Sequence, residues 1–261
     1  METIQVNTQH DLHKLYAVLK AYGNWVQPRG ERTLEIENFS YVCKPYVRYN
    51  NFAGRNFNLK YLKREMVWYI KADPTDLSIA EHASQWGKIV ANGKLNSNYG
   101  SYWFGRYGVE NIVAILQQDP MSRRAVIPMY GTDIDHMDLE AKDVPCTIAI
   151  EFRIRHGMLN ARAIMRSQDI LWGMANDLPT FSFLQEIVAA RLNIPMGTLT
   201  VSVGSFHVYE SRIEMFNNIV LQNIATPVSD PAPRIEHEEA LLLSNKTINP
   251  NMAFGKWLMN I

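Results

Sequence analysis

Apolar positions along the chain switch between a helical period and a two-residue period, and the switches outline its elements. Leu12, Leu15, Val18 and Leu19 share one face between His10 and Tyr22, and Gly23 ends that run, so an amphipathic helix is predicted there. After the polar stretch Gln27 to Arg32, Thr33 to Cys43 reads as a strand or strand pair. Leu62, Met66 and Ile70 place a helix over Leu59 to Lys71, and Ser78 to Asn92 reads as another, carrying Trp86. A turn-rich segment from Gly93 to Phe104 follows. Next come a helix from Asn111 to Gln118 closed by Pro120, a strand from Arg124 to Met129, and an acidic surface loop from Asp133 to Val144.

In the next stretch Ile148, Ile150 and Phe152 alternate with Thr147, Ala149, Glu151 and Arg153. His156-Gly157 turns the chain, and Met158 to Arg166 returns as an antiparallel partner. Leu178 to Leu192 is an apolar helix suited to burial. The Pro195 to Gly197 turn leads to the strand Thr198 to Tyr209, and Glu210 to Asn223 is helical before the Pro-rich connection Ala225 to Pro233. The predicted class is α/β (α+β), a mixed β-sheet flanked by helices, in a single domain over residues 1–261.

Composition narrows this picture. With 47% hydrophobic residues, 261 residues suffice for one substantial core. Equal counts of 26 basic and 26 acidic residues argue against a general nucleic-acid binder, while leaving room for a local phosphate pocket. Two cysteines, Cys43 and Cys146, make no disulfide framework. The N-terminal segment has no apolar signal core, and no apolar run is long enough to span a bilayer. A soluble, cytoplasmic protein without membrane partners is expected. The histidines are scattered and no cysteine pair has ligand spacing, so no metal is expected.

Chemistry concentrates between Cys146 and Asp177. A cysteine at the head of an apolar strand is ordinarily a small core residue. Here the returning strand can bring Arg166 toward Cys146, and a guanidinium near a thiol favours the nucleophilic thiolate. Arg166, Ser167, Asp169, Asn176 and Asp177 form a polar cluster beyond it.

Pro145-Cys146, Arg166-Ser167 with Asp169, Gly173, the polar residue 177 and His207-Val-Tyr209 resemble the thymidylate synthase superfamily. Glu65, Asn98-Tyr99-Gly100 and Ser122-Arg123-Arg124 stand upstream in the order that family uses. The resemblance implies a thymidylate synthase-like fold and a homodimer. It makes Cys146 the nucleophile that adds to pyrimidine C6, with Glu65 organising protons and water at the ring and Tyr99 helping to remove the C5 proton. Arg166 and Ser167 would bind the substrate, and its phosphate would be held by Arg29, with Arg32 as the alternative, and by Arg123 and Arg124 lent across the dimer interface. His207 and Tyr209, on one face of their strand, would hold the sugar. Trp86, Asp169 and Gly173 would face 5,10-methylenetetrahydrofolate, the one-carbon donor. The apolar C-terminus, AFGKWLMNI, could close over the folate as a lid.

Base choice falls to Asp177. An asparagine, usual there in the family, donates to uracil O4 and accepts from N3–H. An aspartate accepts from the cytosine 4-amino group and, when it carries a proton, also serves N3. Counting from Gly173 puts Asp177, not Asn176, in this place. Thr147 after the cysteine and the Asn96 to Gly100 segment are similar to the deoxycytidylate hydroxymethylase branch of the superfamily, the kind phages use for modified DNA. The expected reaction is therefore folate-dependent 5-hydroxymethylation of dCMP by a one-carbon transferase, water completing the transfer. The alternatives are methylation of dCMP, a thymidylate synthase or dUMP hydroxymethylase if the register at 177 slips, and a non-catalytic nucleotide-binding homologue. The ribose preference stays open.

Overall fold

A computed structural model describes residues 3–55, 57–130 and 142–261. The chain runs β1 (Ile4–Val6), α1 (His13–Tyr22), β2 (Asn24–Val26), β3 (Thr33–Cys43), α2 (Leu59–Lys71), α3 (Gln85–Ile89), α4 (Gly100–Trp103) and α5 (Val109–Gln118). It continues with β4 (Val126–Pro128), β5 (Thr147–Arg155), β6 (Met158–Asp169), α6 (Gly173–Arg191), β7 (Met196–Tyr209), α7 (Ile213–Gln222), α8 (His237–Ser244) and α9 (Ala253–Met259). The seven strands form one mixed sheet in the order β1-β3-β7-β6-β5-β4, with β2 on the other end of β3. β1 with β3 and β6 with β7 are parallel, and the remaining pairs are antiparallel. The expected mixed sheet with flanking helices is thus present, and β5 and β6 pair as the alternation predicts, Ile150 opposite Ala163.

α6 lies on the sheet and is apolar nearly all round: Leu178, Phe181, Phe183, Leu184, Ile187 and Val188 are all buried. It begins at Gly173, five residues before the start the apolar pattern suggests, so Asn176 and Asp177 stand in its first turns. The opposite sheet face, carrying Ser40, Val42, Ile164, Thr200 and Ser202, is only half-buried.

Three neighbouring strands bend at the same level. Leu34 and Ile36 are buried in β3, and then Phe39, Tyr41 and Cys43. The same change of parity separates Val201 and Val203 from Phe206 and Val208 in β7, and Ala163 and Met165 of β6 from Gln168 and from Ile170 just beyond the strand. Asn38 adopts φ 52° at the change. A side chain at Gly204 would stand 2.8 Å from the Arg166 carbonyl oxygen, so only glycine lets the strands approach there. The aligned kink turns Gln168 into the core while Ser167 and Asp169 stay on the other face, level with Ser205 and His207.

Three expectations need correction. Ser78 to Asn92 is a 3₁₀ turn (Ser78–Glu81) and the short α3, because Ile79 is its one fully buried anchor and too little apolar face remains for four turns. Of the acidic loop, residues 133–141 lie outside the described residues. Asp143, which belongs to it, is no surface residue: its carboxylate is 2% exposed and accepts from the Ser97 N–H at 2.9 Å and from the Ser97 hydroxyl. The C-terminal segment is a core helix in place of a free lid. Phe254, Trp257 and Leu258 of α9 are buried, and the Trp257 indole donates to the Asp230 carbonyl at 2.9 Å. Among the described residues no helix is long and apolar enough to cross a membrane.

Candidate active site

Cys146 sits just before β5 and Arg166 near the end of β6, joined by a backbone hydrogen bond from Arg166 N to Cys146 O of 2.8 Å. The Arg166 guanidinium donates to the carbonyls of Pro145 (3.0 Å) and Val144 (2.7 Å), which pins the segment leading into the cysteine. Burial raises the Cys146 thiol above its ordinary range. Arg166 and, more weakly, Arg29 pull it down, while Asp177 and Asp143 push it up. The guanidinium acts in the expected direction, but desolvation outweighs it, so the resting thiol is protonated at neutral pH. Thr147, next in the chain, is fully buried beside the Tyr99 phenol.

Tyr99 is stacked on Tyr69 with ring centroids 5.5 Å apart. Gly100 permits this, since a Cβ there would overlap the Tyr69 carbonyl oxygen. Burial holds the Tyr99 phenol well above its ordinary range, and the charges of Cys146 and Asp177 add to that. Glu65, 4% exposed on α2, is pushed up to about 8, chiefly by burial and further by Asp177, against a hydrogen bond from Tyr61. The Tyr61 hydroxyl donates to Glu65 at 2.9 Å and accepts from the Trp86 indole at 2.8 Å. Trp86 is half-buried against Trp68, with ring centroids 5.4 Å apart.

Asp177 faces this group from α6. Burial lifts its carboxyl to about 7, Asp169 adds to the shift, and a 3.1 Å hydrogen bond from Gln168 opposes it. Asp169 closes β6 opposite His207 and accepts from the backbone N–H groups of Leu171 (2.6 Å) and Trp172 (3.3 Å). Burial nonetheless raises its carboxyl, against the nearby His207. His207 and Tyr209 share a face as predicted, their rings edge-on at 5.0 Å, and His207 Nδ1 lies 3.2 Å from Ser205 Oγ. Ser167 pairs with Ser205 in the neighbouring strand.

Of the two loop arginines, Arg32 is bound to Glu210 at 2.5 Å and stacked on Trp25. Arg29, exposed in a turn with φ 52°, is close enough to act on both Cys146 and Tyr209. Arg123 and Arg124 are not brought to this cluster. They precede β4, where Ala125 accepts from Phe152, six residues along β5 from Cys146 and so roughly 20 Å away. Both are exposed, and their guanidinium groups have no partner among the described residues.

The folate expectation fits the residues present. Trp86 and the exposed Trp172 offer flat surfaces. The Arg55 guanidinium, 2% exposed, lies 5.9 Å from the Trp172 ring. Gly173, at the start of α6, carries no side chain over the Asp169 and Asp177 carboxylates. Sequence reasoning missed Tyr61, Gln168, Asp143 and Arg55. The four-residue spacing of Tyr61 and Glu65 on one helix was a usable signal, whereas Gln168 enters only through the kink.

A family model for thymidylate synthase matches residues 21–245, and the chain belongs to the thymidylate synthase family. It is a one-carbon transferase of that family, which uses methylenetetrahydrofolate as co-substrate. The chain is similar to the deoxyuridylate hydroxymethyltransferase of Bacillus phage SP01, 28% identical over 270 residues, covering 95% of this chain and 68% of the relative. It is 29% identical to the deoxycytidylate 5-hydroxymethyltransferase of Enterobacteria phage T4 over 211 residues, 74% of this chain and 82% of the relative. With the thymidylate synthase of Buchnera aphidicola it shares 22% identity over 219 residues, 80% of this chain and 81% of that one.

Proposed function

We propose that the chain is a dCMP 5-hydroxymethyltransferase. The observation that carries this reading is Asp177: a half-buried aspartate with a near-neutral pKa of about 7 at the position that reads the base. Such a carboxyl accepts from the cytosine 4-amino group and, protonated, donates to N3, which becomes more basic as C6 is attacked. An ionised Asp177 would instead face the lone pairs of uracil O4, and sites built around such pairing discriminate by up to about 10⁴–10⁵.

Cys146, once ionised, forms a bond to C6 and makes C5 a carbon nucleophile. Methylenetetrahydrofolate, when bound, supplies the one-carbon unit to C5 and departs as tetrahydrofolate. Tyr99 relays the C5 proton away, leaving an exocyclic methylene on the ring. Glu65, protonated at neutral pH, exchanges protons with water at the pyrimidine. Water then adds to the methylene, and the thiolate leaves C6. Arg29, Arg166 and Ser167 hold the phosphate, His207 and Tyr209 the sugar, and Trp86, Asp169 and Gly173 the folate.

Distance excludes Arg123 and Arg124 from their own protomer's site, which supports a homodimer that exchanges them across the half-buried sheet face. The phage relatives are both named hydroxymethyltransferases, which favours water over hydride as the final acceptor. The relative that covers 95% of the chain is named for deoxyuridylate, so dUMP is the second reading.

The deciding experiment is mass spectrometry of the products from dCMP and from dUMP with methylenetetrahydrofolate, with absorbance monitoring for dihydrofolate. Hydroxymethyl-dCMP without dihydrofolate is expected. Turnover of dUMP alone overturns the base assignment, and a methylated product with dihydrofolate means that hydride wins over water.

A further inference from the structure

We propose that Gln168 is the positioning residue that makes Asp177 select cytosine, by fixing which of its two carboxyl oxygens carries the proton. This rests on Asp177 as the base reader. A neutral carboxyl is chemically ambiguous. With its O–H toward N3 and its C=O toward the 4-amino group it reads cytosine; with the proton on the other oxygen it donates to O4, accepts from N3–H and reads uracil. Some neighbour has to break that symmetry.

Gln168 does so. Its Nε2 lies 3.1 Å from Asp177 Oδ2, the one hydrogen bond to this carboxyl among the described residues. An oxygen that accepts from an amide N–H stays carbonyl-like, so the proton belongs on Oδ1. With Oδ2 on the 4-amino side and Oδ1 toward N3, that protonation state reads cytosine. The uracil arrangement would place the proton on Oδ2, which already faces the amide donor.

The amide itself is held in this orientation. Gln168 is 2% exposed, its Oε1 accepts from the Tyr41 hydroxyl at 3.0 Å, and Nε2 also lies 3.3 Å from Met165 Sδ. Tyr41 is fully buried, so a flipped amide would leave its phenolic proton without an acceptor. The other ionisable groups around Asp177 are Asp169 from β6, Glu65, Tyr61 and Tyr69 from α2 and its neighbourhood, Tyr41 from β3, and Tyr99 and Cys146 from the loops. Their fields act on the carboxyl as a whole. Among the described residues, the Gln168 bond is the one hydrogen bond that falls on one of the two oxygens and not the other.

The test is kcat/KM for dCMP and for dUMP, from about pH 5.5 to about pH 8.5, in the parent protein and in Gln168→Met, Tyr41→Phe and Asp177→Asn. Gln168→Met should lower the dCMP:dUMP ratio about tenfold, the worth of one such hydrogen bond. The gain for dUMP should fall on the acid limb, where Asp177 is neutral, and the basic limb should move to higher pH. Tyr41→Phe, which keeps the ring packing, should move the ratio the same way by less, and it decides the matter if Gln168→Met does not fold. An unchanged ratio in both variants, or an equal loss for both nucleotides, overturns the role of Gln168 provided that Asp177→Asn shifts preference toward dUMP. If Asp177→Asn leaves the ratio unchanged, the base-reader reading fails first, and this one with it.

Discussion

The Tyr61 hydroxyl stands between Glu65 and Trp86, donating to the carboxyl at 2.9 Å and accepting from the indole at 2.8 Å. It ties the group proposed to move protons to the ring proposed to face the folate. Tyr61→Phe should lower kcat by roughly tenfold and leave the Trp86 N–H unpaired, at a stability loss of about 1–2 kcal/mol. Because the lost bond holds the Glu65 pKa down, the pH–kcat limb assigned to Glu65 should move upward. Steady-state profiles and thermal melts of the variant check both effects.

Unliganded stability should fall as pH rises toward 8. Glu65 at about 8 and Asp177 at about 7 both lie above their unfolded values. Below about pH 4 both states are protonated and neither group contributes. Between there and the folded pKa the unfolded chain ionises and the folded protein does not, so each group removes roughly 1.4 kcal/mol of stability per pH unit. Above about pH 8 the loss levels off. Glu65→Gln and Asp177→Asn should each flatten the curve and raise Tm at pH 8 relative to the parent, as differential scanning calorimetry from acid to mildly basic pH would show.

Cys146 should be slow to alkylate in the resting protein, with a rate rising through basic pH, because burial keeps its thiol protonated. Cys43, fully buried and pushed up to about 12, should not react in the folded state. Arg166→Met removes the strongest downward influence on Cys146 and should slow labelling further. Iodoacetamide kinetics followed by peptide mass spectrometry reads this directly; equal rates in parent and variant would remove Arg166 as the activating cation.

Mixed dimers test the arginine exchange. Arg123→Ala combined with Arg124→Ala should cut dCMP kcat/KM by about 10²-fold or more, the loss of two charge-assisted contacts, and Cys146→Ala should be inactive. Co-refolding the two inactive proteins should restore activity, since a hybrid dimer has one site with an intact cysteine and a partner with intact arginines. Absence of recovery, with hybrids present by native mass spectrometry, would count against exchange.

The sequence by itself determined the alternation that pairs β5 with β6, the helix from Leu59 to Lys71, and the order of Glu65, Tyr99, Cys146, Arg166, Asp177, His207 and Tyr209. Those features are local or linear: side-chain period fixes which face an element buries, and residue type fixes what a group can donate or accept. The failures were local too, as in Ser78 to Asn92, where pattern overstated a helix that has a single buried anchor.

What only the tertiary structure decided was the state of each group. Gln168 looks outward-facing by strand parity, and the kink shared by three strands turns it inward to Asp177. Arg32 stands in sequence as an alternative to Arg29 until Glu210, 178 residues from Arg32, pairs with it. Arg166 was expected to activate Cys146, yet burial outweighs it, because desolvation depends on everything packed around the thiol and charge attraction only on the partner nearby. Protonation, burial and amide orientation are sums over neighbours distant in the chain, and no linear pattern carries such sums.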